Sequence, residues 1–291
     1  MNNSDIEGEF MRLSRVLIIM AVCLPMMGQA KHKKVIGGID SRIPSNKSGV
    51  ARVSMSRSLP GGCTATLIGK TCMISAGHCL DNLKIVEFKT RGTNEYGSLN
   101  KTKNRDIFTV DPKSINSVFK INQAEDWVVF RVKKNKLSFW KRTKAVFKDG
   151  FKGTKSYRNK QGYYPGDIQR SYSIADDSPN SGTQISITGY GDSLNRRRAL
   201  TQQIGFGKIV SKPSEGTIDY LFHNVDTEGG VSGAAMMNRK NEIVGIHTSG
   251  LCRYSIFFNK TVCINRGIDI NGTFRFRNAI RDCLSWEKKN L

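Results

Sequence analysis

The sequence predicts an all-β protein of two β halves with one helix at its C-terminus. Over most of the 291 residues, short runs of apolar and β-branched residues alternate with Gly, Asn and Ser turns, a pattern typical of sandwiches and barrels. Only the last segment changes to a helical period, over residues 273–288, with Thr273 placed to cap the helix. The apolar face of this helix is Phe276, Ile280, Cys283 and Leu284.

Six runs predict the strands that matter most for function. The first two flank a Gly69-Lys70 turn and predict a hairpin, and the last two flank a polar turn over residues 238–241 and predict another. One run starts directly after Asp126, so this carboxylate is expected at the mouth of its strand. The runs are 63–68, 71–75, 127–132, 184–189, 234–237 and 243–247.

Residues 1–30 predict a secretory signal peptide. A basic start over 11–15 precedes an apolar run over 16–27, which is too short to span a bilayer, and a small-residue stop over 28–30. Residues 1–10 precede a second candidate start and are interpreted as an extension. We therefore expect a secreted protein, extracellular or periplasmic, without a membrane anchor.

The cysteines agree with export. One of the seven, Cys23, lies in the leader, and its lipidation is the competing interpretation, which the bulky Val22 before it disfavours. An even number remains, which outside the cytosol predicts three disulfides, with free buried thiols as the alternative. The remaining cysteines are Cys63, Cys72, Cys79, Cys252, Cys263 and Cys283.

The chain is strongly basic. Lys and Arg total 46 against 24 Asp and Glu, which gives a formal charge of +22. Between residues 131 and 160 Asp149 is the one acidic residue, and aromatic residues are interleaved with the basic ones. Such a segment would suit a nucleic-acid or membrane surface. Because no nucleic-acid motif accompanies it, we interpret it as a solvated connector, and we expect the charge to attract acidic partners and substrates.

Two separated segments carry the strongest chemical signal. Residues 74–79 contain His78 and residues 229–233 contain Ser232, each among small side chains. A serine hydroxyl is a poor nucleophile until a base removes its proton, and imidazole titrates close to neutral pH. The pair therefore predicts nucleophilic catalysis by Ser232 with His78 as the base.

Such a site needs a carboxylate to orient the histidine and donors to hold the developing oxyanion. Asp126 is the best candidate carboxylate, because it borders an apolar strand that would restrict its access to solvent. The N–H groups of Gly230 and Ser232 would form the oxyanion hole. The alternatives to Asp126 are Asp106, Asp111 and Glu125.

With these residues the chain resembles the trypsin-fold serine proteases, and more closely their bacterial-type glutamyl endopeptidase branch. The resemblance implies two six-stranded antiparallel β-barrels with a C-terminal helix. It also implies a serine endopeptidase that works through an acyl-enzyme on protein or peptide substrates, as a monomer and without cofactor or metal. The peptidase domain would span 35–291, with one barrel over about 35–135 and the connector and second barrel over 136–270. The matching motifs are 35–42, 63–79, 226–233 and 245–250.

The same resemblance implies an activation cut and an acid-binding pocket. Trypsin-type zymogens carry an aspartate directly before the nucleophile, which pairs with the freed N-terminus, and here that residue is Val231. In the glutamyl branch the new N-terminal ammonium instead helps to neutralise the substrate's acidic side chain. This implies a cut before Val35, with 31–34 as a short propeptide, and assigns Thr227 and His247, with Val35, to binding of a substrate Glu or Asp. A protonated His247 would add charge.

Asp226 keeps other specificities open. It lies six residues before Ser232, where trypsins keep the aspartate that binds Lys or Arg, so cleavage after Lys or Arg is one alternative. A non-catalytic basic homologue that binds polyanions is a second alternative. We interpret His223 as structural.

The positions of the cysteines on the predicted elements also suggest how they pair. One bridge would hold the histidine loop in register, one would close a loop near the pocket, and one would join the terminal helix to the first barrel. The expected pairs are Cys63 with Cys79, Cys252 with Cys263, and Cys72 with Cys283.

Overall fold

The computed structural model describes residues 40–90, 92–94, 96, 98–120, 123–135, 162–193, 195–215, 218–255 and 260–291. By its contacts the chain divides into residues 1–33 and residues 34–291, and all described residues belong to the second unit. The predicted signal peptide, the predicted propeptide, Val35 and most of the basic connector lie outside the described residues.

The described residues form fourteen β-strands and one long helix. In chain order they are β1 (Ile43–Pro44), β2 (Val50–Ser54), β3 (Pro60–Leu67), β4 (Cys72–Ser75), β5 (Ile85–Phe88), β6 (Ile107–Lys120), β7 (Gln123–Val132), β8 (Gln184–Gly189), β9 (Gln203–Ser211), β10 (Ser214–Glu215), β11 (Ile218–His223), β12 (Ala235–Met237), β13 (Ile243–Ser255), β14 (Lys260–Asp269) and α1 (Phe274–Asn290).

The first barrel closes in the order β2-β3-β4-β7-β6-β5, with every pair antiparallel. Its interior is filled by large apolar side chains, among which Phe88, Phe108 and Phe130 are fully buried. The β3–β4 hairpin is the one that the sequence predicts. Strand β7 starts earlier than predicted and pairs Asp126 with Phe119 of β6. Asp126 is therefore part of a β hairpin and does not stand before its strand.

The second barrel contains β9, β8, β12, β13, β14 and β11, and it closes through the additional β9–β11 pairing. Strand β8 has the predicted bounds, and β12 and β13 form the predicted hairpin, although β13 runs on to Ser255. The two-residue strands β1 and β10 extend the edges of this sheet. The prediction of two six-stranded antiparallel barrels is confirmed.

The segment just before the first barrel belongs to the sheet of the second barrel. Ile43 and Pro44 of β1 pair with Ile204 and Gln203 of β9. This pairing brings the residues directly upstream, Asp40 to Arg42, to the second barrel. The predicted range of about 35–135 for the first barrel therefore contains residues that pair with the second barrel.

Helix α1 packs on the first barrel as the amphipathic pattern predicts. Its buried face includes Phe276, whose ring stacks on Trp127 with centroids 5.2 Å apart. Thr273 occupies the N-cap position, but its hydroxyl does not cap the helix and accepts instead from the Asp219 N–H at 3.4 Å. The buried carboxylate of Glu287 accepts from the N–H groups of the β3–β4 turn. No helix in the described part of the chain is long and apolar enough to cross a membrane.

Two of the expected disulfides are present. Cys63 is bonded to Cys79, and Cys72 of β4 is bonded to Cys283 of α1. Cys252 and Cys263 are direct partners in the β13–β14 register, so their backbones are adjacent. Their side chains lie outside the described residues, and the third bridge stays a prediction.

Candidate active site

His78 follows β4 at the start of a 3₁₀ turn, Gly77–Asn82. Its backbone N–H donates to Oδ1 of Asp126 at 2.8 Å, and its ring Nδ1 lies 2.7 Å from Oδ2 of the same carboxylate. A carboxylate accepts only, so Nδ1 carries the proton and Nε2 is left as the base. The side chain of Asp126 is 13% exposed and that of His78 is 31% exposed. The arrangement orients a solvent-accessible base with a largely buried carboxylate.

The alternative carboxylates are engaged elsewhere. Glu125 accepts from the indole N–H of Trp127 at 2.8 Å, and its other oxygen lies 3.4 Å from Arg275. Asp111 faces Arg131 at 3.9 Å, and Asp106 accepts from Gln169 at 3.4 Å. Among the described carboxylates only Asp126 bonds to His78.

The surroundings of His78 contain a disulfide and an aromatic ring. A ring nitrogen of His78 lies within 4.8 Å of the sulfur atoms of Cys63 and Cys79, and the disulfide between them leaves no thiolate to bind a metal. Phe119, which is 48% exposed, packs edge-on against the imidazole with centroids 6.1 Å apart. Sequence reasoning missed Phe119, because only the β6–β7 register brings it beside His78.

Ser232 lies in the turn just before β12, and two contacts hold it against the first barrel. Its carbonyl accepts from the N–H of Thr64 at 2.8 Å and lies 3.9 Å from the sulfur of Cys79, the residue after His78. In the described residues the Ser232 hydroxyl makes no hydrogen bond to His78. Such bonds are often long in a free enzyme and tighten when substrate binds.

Thr64 of β3 links the two barrels at this point. Its hydroxyl donates to the carbonyl of Gly230 at 2.8 Å and accepts from the N–H of Tyr190 at 3.0 Å. Thr64 is fully buried, so these partners have no water to replace it. Nothing in the sequence around Thr64 indicates this role, which depends on how the two barrels meet.

The two predicted oxyanion donors have fixed orientations. A trans peptide is planar, with its C=O and N–H pointing in opposite directions, so anchoring the carbonyl aims the N–H. The Gly229 carbonyl accepts from the N–H of Asp192 at 2.7 Å, and the Val231 carbonyl accepts from the N–H of Ala234 at 2.9 Å. The N–H groups that follow, those of Gly230 and Ser232, donate to no acceptor among the described residues.

Glycine is needed at two positions of this loop. Gly230 has a φ of +102° and Gly233 a φ of +83°, in the region that side chains disfavour. A Cβ on Gly230 would collide with the carbonyl of Tyr190, and one on Gly233 with Ser75 and Thr64. The glycines that made the motif recognisable are therefore required by the backbone path.

Two of the three predicted acid-binding residues, Thr227 and His247, are buried next to the nucleophile loop, residues 229–233, and the third, Val35, lies outside the described residues. His247 of β13 exchanges backbone hydrogen bonds with the loop, donating to Ala234 at 2.9 Å and accepting from Gly233 at 2.8 Å. Thr227 is fully buried, and its hydroxyl has no hydrogen-bond partner among the described residues. An orphaned buried hydroxyl is a group that a ligand could satisfy.

His223 sets the protonation of His247. Burial lowers the pKa of His223 to about 3, so this ring is neutral near pH 7. Its Nδ1 accepts from the N–H of Val225 at 3.3 Å, so its proton lies on Nε2, which is 3.1 Å from Nδ1 of His247. His247 therefore accepts at Nδ1 and carries its proton on Nε2. In this tautomer the N–H at Nε2 is the ring donor of His247, and the added charge of a protonated His247 stays a prediction.

Asp226 is engaged by the N-terminal segment. Its Oδ2 accepts from the N–H of Ser41 at 3.0 Å and from the hydroxyl of Ser41 in a short hydrogen bond. Val231, which replaces the aspartate of trypsin-type zymogens, is 3% exposed and packs in an apolar cluster of the second barrel. Neither contact could be read from the spacing to Ser232.

Comparisons with known proteins agree with this geometry. The family model described as Trypsin matches residues 36–258. A solved structure described as "Structure of Glu endopeptidase in complex with MPD" is similar over 86% of this chain and 99% of its own, with a TM-score of 0.55 and 20% identity, a likeness that shows the fold alone. No curated protein sequence matches the chain. Because the family match covers most of the chain, the chain belongs to the trypsin family of serine proteases.

Proposed function

We propose that this protease is a secreted endopeptidase that cleaves after Glu or Asp, with His78, Asp126 and Ser232 as its catalytic triad. The observation that carries the triad is the double contact of Asp126 with His78, through the ring and through the backbone N–H. That contact leaves Nε2 of His78 as the base, and Ser232 is held close by, with its carbonyl 3.9 Å from the sulfur of Cys79, the residue after His78.

The mechanism follows from these contacts. His78 Nε2 takes the proton of the Ser232 hydroxyl as Oγ attacks the scissile carbonyl, and Asp126 stabilises the imidazolium that forms. The N–H groups of Gly230 and Ser232 hold the negative charge on the carbonyl oxygen. His78 then gives its proton to the leaving amine as the C–N bond breaks. Water, deprotonated by His78, attacks the acyl-enzyme, and His78 returns this proton to Ser232 Oγ as the ester bond breaks and the acid product leaves.

Three features support an acidic preference. The buried hydroxyl of Thr227 lacks a partner, and a carboxylate oxygen would supply an acceptor. His247 keeps a proton on Nε2 that it can donate, because His223 occupies its other nitrogen. The net charge of +22 attracts acidic substrates to the surface. The ammonium of Val35, freed by a cut after Lys34, would complete the pocket.

Cleavage after Lys or Arg is the alternative that a specific residue, Asp226, suggests. It would require the Asp226 carboxylate to face the substrate side chain. The two hydrogen bonds from Ser41 to one oxygen of that carboxylate weigh against this role. The second alternative is a protein that binds polyanions without catalysis. Retention of all three proposed triad residues argues against it.

Covalent labelling tests the nucleophile. We expect the purified wild type to react with a fluorophosphonate and the Ser232→Ala variant to remain unlabelled at an unchanged melting temperature. Ser181→Ala, at an exposed serine, is the matched control and should label like the wild type. Labelling of Ser232→Ala would show that another residue is the nucleophile.

A peptide panel tests the pocket. Peptides that differ only in the residue before the cut, with Glu, Asp, Gln or Lys there, should be cleaved fastest with Glu. Replacing His247 by Asn should lower kcat/KM for the Glu peptide by about 10- to 100-fold, since removal of a hydrogen bond to a charged group costs about 1.5–3 kcal/mol. A smaller loss is expected for the Gln peptide. Preference for Lys would refute the acidic pocket.

Two further measurements address processing and assembly. N-terminal sequencing of the secreted protein should give Val35 as the first residue, and a different first residue would contradict the proposed cut. Light scattering should give the mass of one chain, as expected for a monomer.

A further inference from the structure

The segment Asp40 to Arg42 contacts two residues that flank the nucleophile loop, Asp226 before it in the chain and Asp192 beside it in the fold. On one side Ser41 donates two hydrogen bonds to the carboxylate of Asp226. On the other side the guanidinium of Arg42 donates to the carbonyl of Asp192 at 2.8 Å. We refer to Asp40, Ser41 and Arg42 as the latch.

The contact of Arg42 leads directly to the oxyanion hole. The residue whose carbonyl Arg42 holds, Asp192, uses its N–H to bind the carbonyl of Gly229 at 2.7 Å. That carbonyl belongs to the same planar peptide as the N–H of Gly230. A shift of Arg42 would release Asp192 and with it the peptide that aims one oxyanion donor.

Arg42 is itself held rigidly. It is 3% exposed, and its guanidinium forms two hydrogen bonds of 2.8 Å with the carboxylate of Asp40. Burial alone would raise the pKa of Asp40, but the hydrogen bonds and the charge of Arg42 lower it overall, so the pair stays ionised. Arg42 also lies against Gly191, where any side chain would collide with the guanidinium. The side chain of Asp40 is 23% exposed, so the pair is only partly buried, but its two charge-assisted hydrogen bonds fix the orientation of the guanidinium.

The nucleophile loop has no charged anchor at the position directly before Ser232. Val231 is buried among apolar side chains and can form no ion pair. The loop is instead fixed from outside, by Thr64 on the first barrel and by the latch at the edge of the second.

We propose that the latch is the positioning element of the oxyanion hole, with Arg42 acting through Asp192 on the Gly230 N–H and Ser41 holding Asp226 out of the substrate pocket. This inference rests on the proposed function, since it assigns a role in the same reaction. It makes Arg42 and Ser41 positioning residues, which touch neither the substrate nor the reacting atoms.

The test compares kcat with KM. Loss of one oxyanion donor lowers kcat by about 10²- to 10³-fold in comparable sites. Loosening that donor in Arg42→Gln should lower kcat for the Glu peptide by about 10- to 100-fold. The KM and the inhibition constant of the cleaved, Glu-ended product peptide should change by less than about threefold, because they report binding and not the oxyanion. The rate of labelling by a fluorophosphonate, which also forms an oxyanion, should fall by the same factor as kcat.

Three further variants keep the test decisive. Arg42→Lys keeps one donor for the Asp192 carbonyl and should recover part of the lost kcat, which a purely structural role would not predict. Ser41→Ala removes only the hydroxyl donor and is expected to fold, and it should raise cleavage of the Lys peptide relative to the Glu peptide. Arg131→Gln changes an arginine of 18% side-chain exposure that packs on Trp286, and it should leave kcat unchanged.

The outcomes separate the two proposals. A wild type that is not labelled by the fluorophosphonate refutes the proposed function, and the latch with it. The latch alone is refuted if the wild type is labelled and Arg42→Gln folds with a kcat within twofold of the wild-type value. If Arg42→Gln does not fold, an unchanged kcat in Arg42→Lys together with an unchanged Lys-to-Glu ratio in Ser41→Ala refutes the latch.

Discussion

The buried imidazole of His223 should make the fold sensitive to acid. Its pKa in the folded state is about 3 because burial disfavours the charged ring, against 6.5 in the unfolded chain. Between these values the unfolded chain binds a proton that the folded protein does not. Stability is therefore full above pH 6.5 and is lost as the pH falls toward 3.

The size of the effect follows from the shift. Each pH unit inside the window changes the free energy of unfolding by about 1.36 kcal/mol for one proton. Between pH 7.0 and pH 4.5 the contribution of His223 changes by roughly 2–3 kcal/mol. That is a large part of the roughly 5–15 kcal/mol that stabilises a typical domain.

Urea unfolding on a Ser232→Ala background, which prevents self-cleavage, measures this contribution. His223→Gln in the same background cannot titrate, and it is destabilised at every pH by loss of the His247 contact. Carboxylates that titrate in the same range are present in both proteins, so their contributions to the unfolding free energy cancel in the difference. We expect the gap in unfolding free energy between the two proteins to narrow by roughly 2–3 kcal/mol from pH 7.0 to pH 4.5. Parallel curves would refute the assignment of a neutral, buried His223.

Two further predictions concern the supports of the triad. Thr64→Val removes the hydroxyl that bonds Gly230 and Tyr190, so two buried groups lose their partner, and urea unfolding should show a loss of about 1–3 kcal/mol in the free energy of unfolding. Thr64→Ser keeps a hydroxyl and should retain most of the wild-type stability. Equal losses in the two variants would contradict this role. Phe119→Ala removes the ring packed on His78 and should lower kcat/KM in peptide hydrolysis by about two- to tenfold, which corresponds to the interaction energy of an aromatic pair. An unchanged kcat/KM would mean that the ring does not support the imidazole.

The sequence predicted the parts of the site that depend on local pattern. The small residues around His78 and Ser232 form a recognisable motif because the backbone path requires them, as the positive φ of Gly230 and Gly233 shows. Asp126 could be chosen because it precedes an apolar run that must be a strand. The helix at the C-terminus was predicted to within a few residues from its apolar face.

The parts that depend on contacts between strands far apart in the chain could not be predicted. Thr64 and Phe119 occupy ordinary strand positions, and their roles come from the register of β3 and of the β6–β7 hairpin. The tautomer of His247 depends on His223, which lies 24 residues away in the chain. Sequence spacing carries no information about a hydrogen bond of this kind, because it arises only when β11 and β13 lie in one sheet.

Asp226 illustrates why the offset of a residue from the nucleophile does not determine its function. A buried carboxylate takes the donors that the fold brings to it, and here the pairing of β1 with β9 brings the backbone and hydroxyl of Ser41. The same pairing puts Arg42 beside Asp192, so the latch, which lies directly before β1, bonds this carboxylate and, in the role proposed for it, also orients the Gly229–Gly230 peptide. A change in the N-terminal segment would then affect specificity and turnover together. Because Val231, directly before the proposed nucleophile, lies among apolar side chains, it forms no ion pair there, and the partners of Asp226 are a better guide to substrate preference than its position in the motif.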